Sequence, residues 1–399
     1  MSAETAQNAR GSSGRASLFS DQRFRSLFFQ ALVIGLLGAF LAFIVFNTAH
    51  NIEKRGIQTG FDFLSAPAGY DIAISPFLDY TATDTHGRVF LVGLFNTLLV
   101  SFLGIVAATV LGVTLGVLRL SPNWLVSRIV YCYVEMTRNV PLLLQILLWY
   151  AIFLGLPHVK QSATFFNDTF VLNKRGLILP EPIPGDGFML VPIALVIGLV
   201  ASFIFAKWAH KTQDTTGKTY PVFLINTAMI VGLPLLAFAV TGFPLDFAYA
   251  ELKGFNYQGG LSIKPEFTAL WFALSLYTAA FIAETVRAGI QSVSHGQTEA
   301  SEALGMRPGR TMNLVILPQA LRVIIPPMTS QYLNLTKNSS LAVAIGYPDI
   351  VQSFGGVTLN QTGQAIEVIF ITMVVYLTIS LVISTGMNWY NNRVRLVER

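Results

Sequence analysis

Residues 89–118 read VFLVGLFNTLLVSFLGIVAATVLGVTLGVL, thirty positions without a charge. About 20 apolar residues cross the hydrocarbon core of a bilayer as a helix, so this run spans with tilt or with an interfacial extension. A barrel strand would be about ten residues of alternating pattern, which the run excludes. Working outward, seven further segments qualify: 27–49, 129–156 (apolar except Glu135 and Arg138), 188–206, 222–242, 267–290 (with Glu284 and Arg287), 323–345 (with two prolines and Lys337) and 365–387 (with Glu367). The composition agrees. Of 399 residues, 53% are hydrophobic and 12% charged, about half the charge of an average soluble chain. Such a chain is neither disordered nor an ordinary soluble enzyme. Cys132 is the only cysteine, so no intrachain disulfide can form.

The expected fold is therefore all-α, a polytopic membrane protein of about eight transmembrane helices. Charge placement orients it. With the N-terminus in the cytoplasm and sides alternating, cytoplasmic segments sum to +9 and external ones to −4. That is the positive-inside pattern, and it puts both termini in the cytoplasm. It also reads the net charge of +5 as membrane orientation rather than nucleic-acid binding. The division along the chain is a cytoplasmic tail at 1–26, a first transmembrane helix at 27–49 and a periplasmic segment at 50–88. A first core part follows at 89–158, an insertion with two extra spans at 159–266, a second core part at 267–387 and a tail at 388–399. The first stretch is polar and lacks the apolar core of a signal peptide.

Between the sixth and seventh spans lies a patterned cytoplasmic segment, 291–319, reading QSVSHGQTEASEALGMRPGRTMNLVILPQ. Ser294 with Gln297 fits a capping box. A short helix follows over 297–304. Gly305 suits a left-handed helix end, and Pro308 suits the first turn of a second helix. Ala300, Ala303 and Leu304 fall on one small apolar face. Periodicity alone leaves two readings open: a surface for a partner, or an amphipathic loop resting on lipid headgroups.

Within this segment Glu299-Ala300-Ser301, then Gly305, then Val315-Ile316-Leu317-Pro318 resembles the EAA loop of the transmembrane subunits of bacterial ABC importers. Ser301 stands where that family has a second alanine, and Val315 where it often has isoleucine. Flanking residues resemble the polar amino-acid branch. Phe281–Ile290 is similar to the span that leads into its EAA loop, and Gly296-Gln297 fits the approach. Thr137-Arg138-Asn139-Val140-Pro141-Leu142-Leu143-Leu144-Gln145 resembles its R-G-T-P-L-L-V-Q motif, with Asn139 and Val140 replacing Gly and Thr. Lys337-Asn338-Ser339-Ser340-Leu341 resembles its K-[DN]-[ST]-S-L motif, and Asn96-Thr97-Leu98 the start of its permease domain. The inserted spans and the extra length resemble the long permease of general L-amino-acid or glutamate/glutamine/aspartate/asparagine systems.

The resemblance implies a type I ABC importer permease core carrying a two-helix insertion, in the bacterial inner membrane, moving polar L-amino acids by alternating access. It implies ATPase coupling through Gln297, Glu299, Ala300, Ser301, Gly305, Leu317 and Pro318. It implies as partners an ABC ATPase subunit dimer, a second, non-identical permease subunit, a periplasmic amino-acid-binding protein and the lipid bilayer. No cofactor is expected on this chain. ATP and Mg belong to the ATPase subunits, since no Walker A loop occurs here and no metal-ligating cluster is visible. The chain is then not itself an enzyme. The alternative is a secondary, ion-coupled amino-acid transporter, which needs no ATPase.

Six ionisable residues fall inside the spans, where each costs about 2.5–3.5 kcal/mol at the helix centre. Glu135 with Arg138, and Glu284 with Arg287, are spaced i, i+3 and can neutralise each other. Lys337 has no acid nearby in sequence and sits in a polar cluster with Asn338, Ser339 and Ser340. Broken helix at membrane depth is tolerated where it lines a cavity, and Pro326, Pro327 and Pro348 bracket this cluster. Either Lys337 receives a substrate carboxylate or Glu367 pairs with it structurally. The substrate-pathway candidates are thus Lys337, Asn338, Ser339, Ser340, Arg138, Glu135, Gln145 and Glu367.

Overall fold

A computed structural model describes residues 22–56, 59–166 and 168–394. Most of the first tail, 1–21, and the last residues, 395–399, lie outside the described residues. In chain order the helices are α1 (Gln22–Arg55), α2 (His86–Leu118), α3 (Trp124–Asn139), α4 (Leu142–Leu154), α5 (Leu190–Thr216), α6 (Val222–Thr227), α7 (Leu233–Val240), α8 (Pro265–Gln291), α9 (His295–Ala303), α10 (Pro308–Thr311), α11 (Leu317–Asn338), α12 (Leu359–Thr362) and α13 (Ala365–Val394). A π turn joins α6 to α7, and another joins α10 to α11. Among the described residues, seven helices or joined helices are long and apolar enough to cross a membrane, and the pair α3–α4 would make an eighth.

That pair departs from the expected straight third span. α3 and α4 meet at a bend of 108°. The cause is Pro141, which cannot donate a backbone N–H and holds Val140 extended at φ −105°, ψ 129°. Gln145 secures the corner by donating its amide to the carbonyls of Thr137 (2.8 Å) and Val140 (3.0 Å). The seventh span departs in the opposite direction. Pro326 and Pro327 do not break it; both lie inside α11. The helical path instead begins at Pro308 and ends in a 3₁₀ segment, Ser339–Ile345, closed by Gly346 at φ +75°.

α8 is the hub of the spanning part, packed against α2, α3, α4 and α11. Glycines set the closest of these approaches. A Cβ at Gly112 of α2 would stand 2.6 Å from Ile282, and one at Gly116 would stand 2.7 Å from Val286. Small residues at such crossings let helix backbones meet in the bilayer. The core so formed contains Val100, Ile146, Leu270, Leu274, Ile324, Leu335 and Tyr347. α5 packs on α6 and α7, forming the hairpin of the inserted region.

Among the described residues, eight short strands, which the all-helical expectation did not include, occupy the segments around that hairpin. β1 (Ala163–Phe165), β2 (Phe170–Asn173), β3 (Gly176–Leu179) and β8 (Leu261–Ile263) form one antiparallel sheet in that order. β4 (Glu181–Pro184) pairs with β5 (Leu245–Ala248) and closes the base of the hairpin, and β6 (Glu251–Lys253) pairs with β7 (Asn256–Gln258). The strand runs are three or four residues long, too short for an alternating pattern to stand out.

The sheet fixes one face of the molecule. β8 runs directly into α8, and Lys264 between them shares a cleft with Tyr70 and Asp71, which precede α2. The start of α8, the start of α2 and the end of α4 therefore lie on the sheet face. Arg119 after α2, the start of α3 and α9 after α8 lie on the opposite face. Hence the bent pair α3–α4 passes from one face to the other.

Candidate functional site

The segment 291–319 folds as helix, turn, helix on the face opposite the sheet. α9 begins two residues earlier than the spacing predicts. The expected capping box does not form: the Ser294 side chain makes no capping hydrogen bond, and Gln297 N–H bonds the Ser294 carbonyl instead (3.0 Å). The Gln297 side chain is drawn elsewhere, accepting from Gln319 Nε2 at 3.4 Å. The helix end is firmer. Gly305 takes φ +72°. Met306 N–H donates to the Ser301 carbonyl (3.0 Å), and Gly305 N–H donates to the Glu302 carbonyl (2.8 Å). These two bonds make a Schellman close. Pro308 then stands in the first turn of α10.

Ser301 is the one buried residue of α9, and its hydroxyl donates to the Gln297 carbonyl at 2.7 Å. Ala300, Ala303 and Leu304 are all exposed, Leu304 at 80%. Glu299 is also exposed and meets His295 Nδ1 at 3.0 Å. α9 thus turns a small apolar face, edged by one acid, away from the protein. Leu317 and Pro318 begin α11 and continue the path from this helix into the spans.

The pathway candidates are not brought together. Glu135 and Arg138 approach to 3.9 Å, and Arg287 Nη2 lies 2.6 Å from Glu284. Arg119, a residue the i, i+3 spacing cannot reveal, ties the two pairs into one cluster. Its Nη2 lies 3.4 Å from Glu135 and its Nη1 contacts Glu284. Gln145 is occupied at the α3–α4 corner. Glu367 accepts the Gly60 N–H at 2.9 Å. It forms no ion pair with Lys337, so the structural-pair reading of that lysine fails.

Lys337 is exposed, and among the described residues no carboxylate lies within ion-pair distance of it. Asn338 is half-buried. Ser339 is buried and donates to the Thr336 carbonyl (2.8 Å), while Ser340 donates to the Lys337 carbonyl (2.7 Å). What accompanies Lys337 is a stripe along α11. Val323, Pro327, Ser330, Asn334 and Lys337 are all exposed, at helical spacing of three and four. Sequence reading missed this stripe because it took the prolines as a break.

On the sheet face a cleft of about 380 Å³ is lined by Tyr70, Asp71, Lys264, Glu266 and Gln352 among others. Tyr70 Oη lies 3.1 Å from the Ser353 carbonyl. Tyr80 Oη donates to the Tyr70 carbonyl at 2.8 Å. Burial, with Tyr70, Asp84 and Asp71 nearby, pushes the Tyr80 phenol up to about 12, so it remains a neutral donor. The cleft carries both charge signs.

Comparison with known proteins adds a second line of observation. A family model described as "Binding-protein-dependent transport system inner membrane component" matches residues 102–396. The chain is 48% identical to the general L-amino acid transport system permease protein AapQ of Rhizobium johnstonii, across 98% of this chain and 96% of that protein. It is 46% identical to the glutamate/glutamine/aspartate/asparagine transport system permease protein BztB of Rhodobacter capsulatus, across 96% of each. A solved amino acid ABC transporter, crystallised with histidines, aligns at 20% identity and a TM-score of 0.45, covering 77% of this chain and 95% of that one.

Proposed function

Because the chain belongs to the family of binding-protein-dependent transport system inner membrane components, we propose that it forms one permease half of an ATP-driven importer of polar L-amino acids. It is a multi-pass membrane permease of an amino-acid ABC importer, not an ion-coupled carrier. Its partners in this reading are an ABC ATPase dimer, which binds the ATP and Mg, a second, non-identical permease and a periplasmic amino-acid-binding protein. The membrane is the bacterial inner membrane. The sheet face is periplasmic, and α9 and both termini are cytoplasmic.

The observation that carries the coupling role is the standing of α9. Its apolar face is unpartnered and exposed, yet its far end is locked by the Schellman bonds. A helix so held can transmit a push. It joins α8 through Ser292–Ser294, and it touches the start of α11 through Gln297 and Gln319. α8 and α11 are packed so closely that a side chain at Gly289 would collide with Ile324. Closure of the ATPases against α9 therefore moves both helices together, and the exposed stripe of α11 moves with them. Substrate released by the binding protein enters at the sheet-face cleft and passes the stripe, where Lys337 receives its carboxylate by a charge-assisted bond.

The test is uptake by proteoliposomes holding this chain with the ATPase, second permease and binding protein that the reading requires. Uptake should require internal ATP and the binding protein. Uptake driven by an ion gradient without ATP would refute the reading. Glu299→Arg should abolish ATPase association or coupling; normal ATP-driven uptake in that variant would remove α9 from the mechanism.

A further inference from the structure

We propose that the recess between the ends of α2, α3 and α8 on the α9 face binds the phosphate headgroup of an anionic phospholipid. The recess measures about 480 Å³. Three guanidiniums line it, Arg119, Arg128 and Arg287, and no carboxylate does so among the described residues. Two of the three are already engaged. Arg119 holds Glu135 and Glu284, and Arg287 holds Glu284. Among the described residues Arg128 has no acid partner. It is exposed and lies over the Tyr131 ring at 5.2 Å, with Arg119 at 5.0 Å from the same ring. Counting Arg138 with the cluster, four cations face two carboxylates, which leaves a net charge of +2 at this spot. An anion seated against Arg128 would offset that excess.

Depth argues that the anion is a lipid headgroup. Arg287 stands 22 positions beyond Pro265 along α8, about 33 Å at 1.5 Å per residue. The hydrocarbon core is about 30 Å thick, so the recess lies at headgroup level. Trp124, 75% exposed at the first turn of α3, is the residue type that anchors at that level. The surface beside the recess suits acyl chains. Ile129 and Met136 of α3 and Val110 and Val117 of α2 are apolar and more than half exposed. A soluble phosphate ester would use the cations and leave this surface idle. Basic pockets between spans on the cytoplasmic side commonly hold such headgroups.

The experiment measures retained lipid. The full chain, purified in detergent with mixed phosphatidylglycerol and phosphatidylcholine, is washed and its bound phospholipid quantified by class. Phosphatidylglycerol should be retained selectively. Arg128→Gln should weaken its half-saturation about tenfold, the order one charge-assisted contact supplies. Arg128→Lys should keep most of it, and Arg310→Gln, outside the recess, should match the unaltered chain. Equal retention by the unaltered chain and Arg128→Gln would overturn the proposal. So would displacement of the lipid by millimolar inorganic phosphate, which would mark a free-anion site, or binding that appears only when the acidic face of a protein partner is added. None of these readouts depends on transport, so they stand apart from the importer reading.

Discussion

Asn96 Nδ2 donates to the Pro348 carbonyl at 2.9 Å, joining α2 to a segment 252 positions away. The same amide donates to the Ile74 carbonyl at 2.8 Å, and Tyr347 Oη donates back to the Asn96 carbonyl at 2.9 Å. Next to it, Thr97 Oγ1 accepts the Ile350 N–H at 3.0 Å. Two connecting segments that lack regular structure are thus pinned to one turn of α2. Pro348 is buried, where an unpaired backbone carbonyl is costly.

Asn96→Ala removes both amide donors and strands two carbonyls. At about 1–3 kcal/mol for each unsatisfied group, the loss should be large against a typical total stability of about 5–15 kcal/mol. The expected outcome is a clear drop in thermal unfolding midpoint of the detergent-purified chain. Asn96→Asp should be at least as damaging, since a carboxylate would face two carbonyl oxygens. An unchanged midpoint for Asn96→Ala would show that the pinning contributes nothing.

Arg119 should matter more than either i, i+3 pair it joins. Removing Arg119 breaks its contacts to Glu135 and Glu284 together and leaves each carboxylate with only its i, i+3 arginine. Arg119→Leu leaves Glu135 and Glu284 facing each other across the vacated site. Membrane abundance should fall, and Glu284→Leu should cost less in the Arg119→Leu background than alone, because the contact between the two is already lost. Additive losses in that double-mutant cycle would show that the two residues do not interact.

How much of this was readable beforehand depended on whether the cause was local. The spans were legible because each is a continuous apolar run. Gly305 and Pro308 were legible because each demands a particular backbone. The bend at Pro141 was not read, although the proline was in view, because apolar residues on both sides disguise a corner as a span. Pro326 and Pro327 misled in the other direction, since packing against α8 and α13 holds α11 helical around them. Arg119 and the Asn96 bonds join distant positions, and no local pattern reveals such partners.

Gly305 offers a graded test of the α9 geometry. Nothing lies within 4 Å of where its Cβ would be, so space is not the issue, and its φ of +72° is. An L-residue there costs about 1–2 kcal/mol, with Asn the best tolerated. Coupled uptake should therefore fall in the order Gly, Asn, Ala, Val at this position. The permease itself should still insert and fold, as judged by membrane abundance. Indifference of uptake to Gly305→Val would mean that the locked end of α9 is not used in coupling.

Lys337 gives the sharpest division between carrying substrate and coupling to ATP. It lies on the exposed stripe of α11, far along the helix from the α9 end, and no acid among the described residues pairs with it. Lys337→Ala should lower uptake at least several-fold while the ATPase activity of the assembled transporter, stimulated by loaded binding protein, falls less. Lys337→Arg keeps the charge and should retain part of the uptake, with a raised KM, because a planar guanidinium fits a carboxylate differently from an ammonium. Asn334→Ala and Ser330→Ala, one and two turns below on the same face, should show milder effects of the same kind. A merely structural role would instead lower membrane abundance in step with uptake. Equal uptake by Lys337→Ala and the unaltered chain, at equal abundance, would exclude the lysine from the pathway.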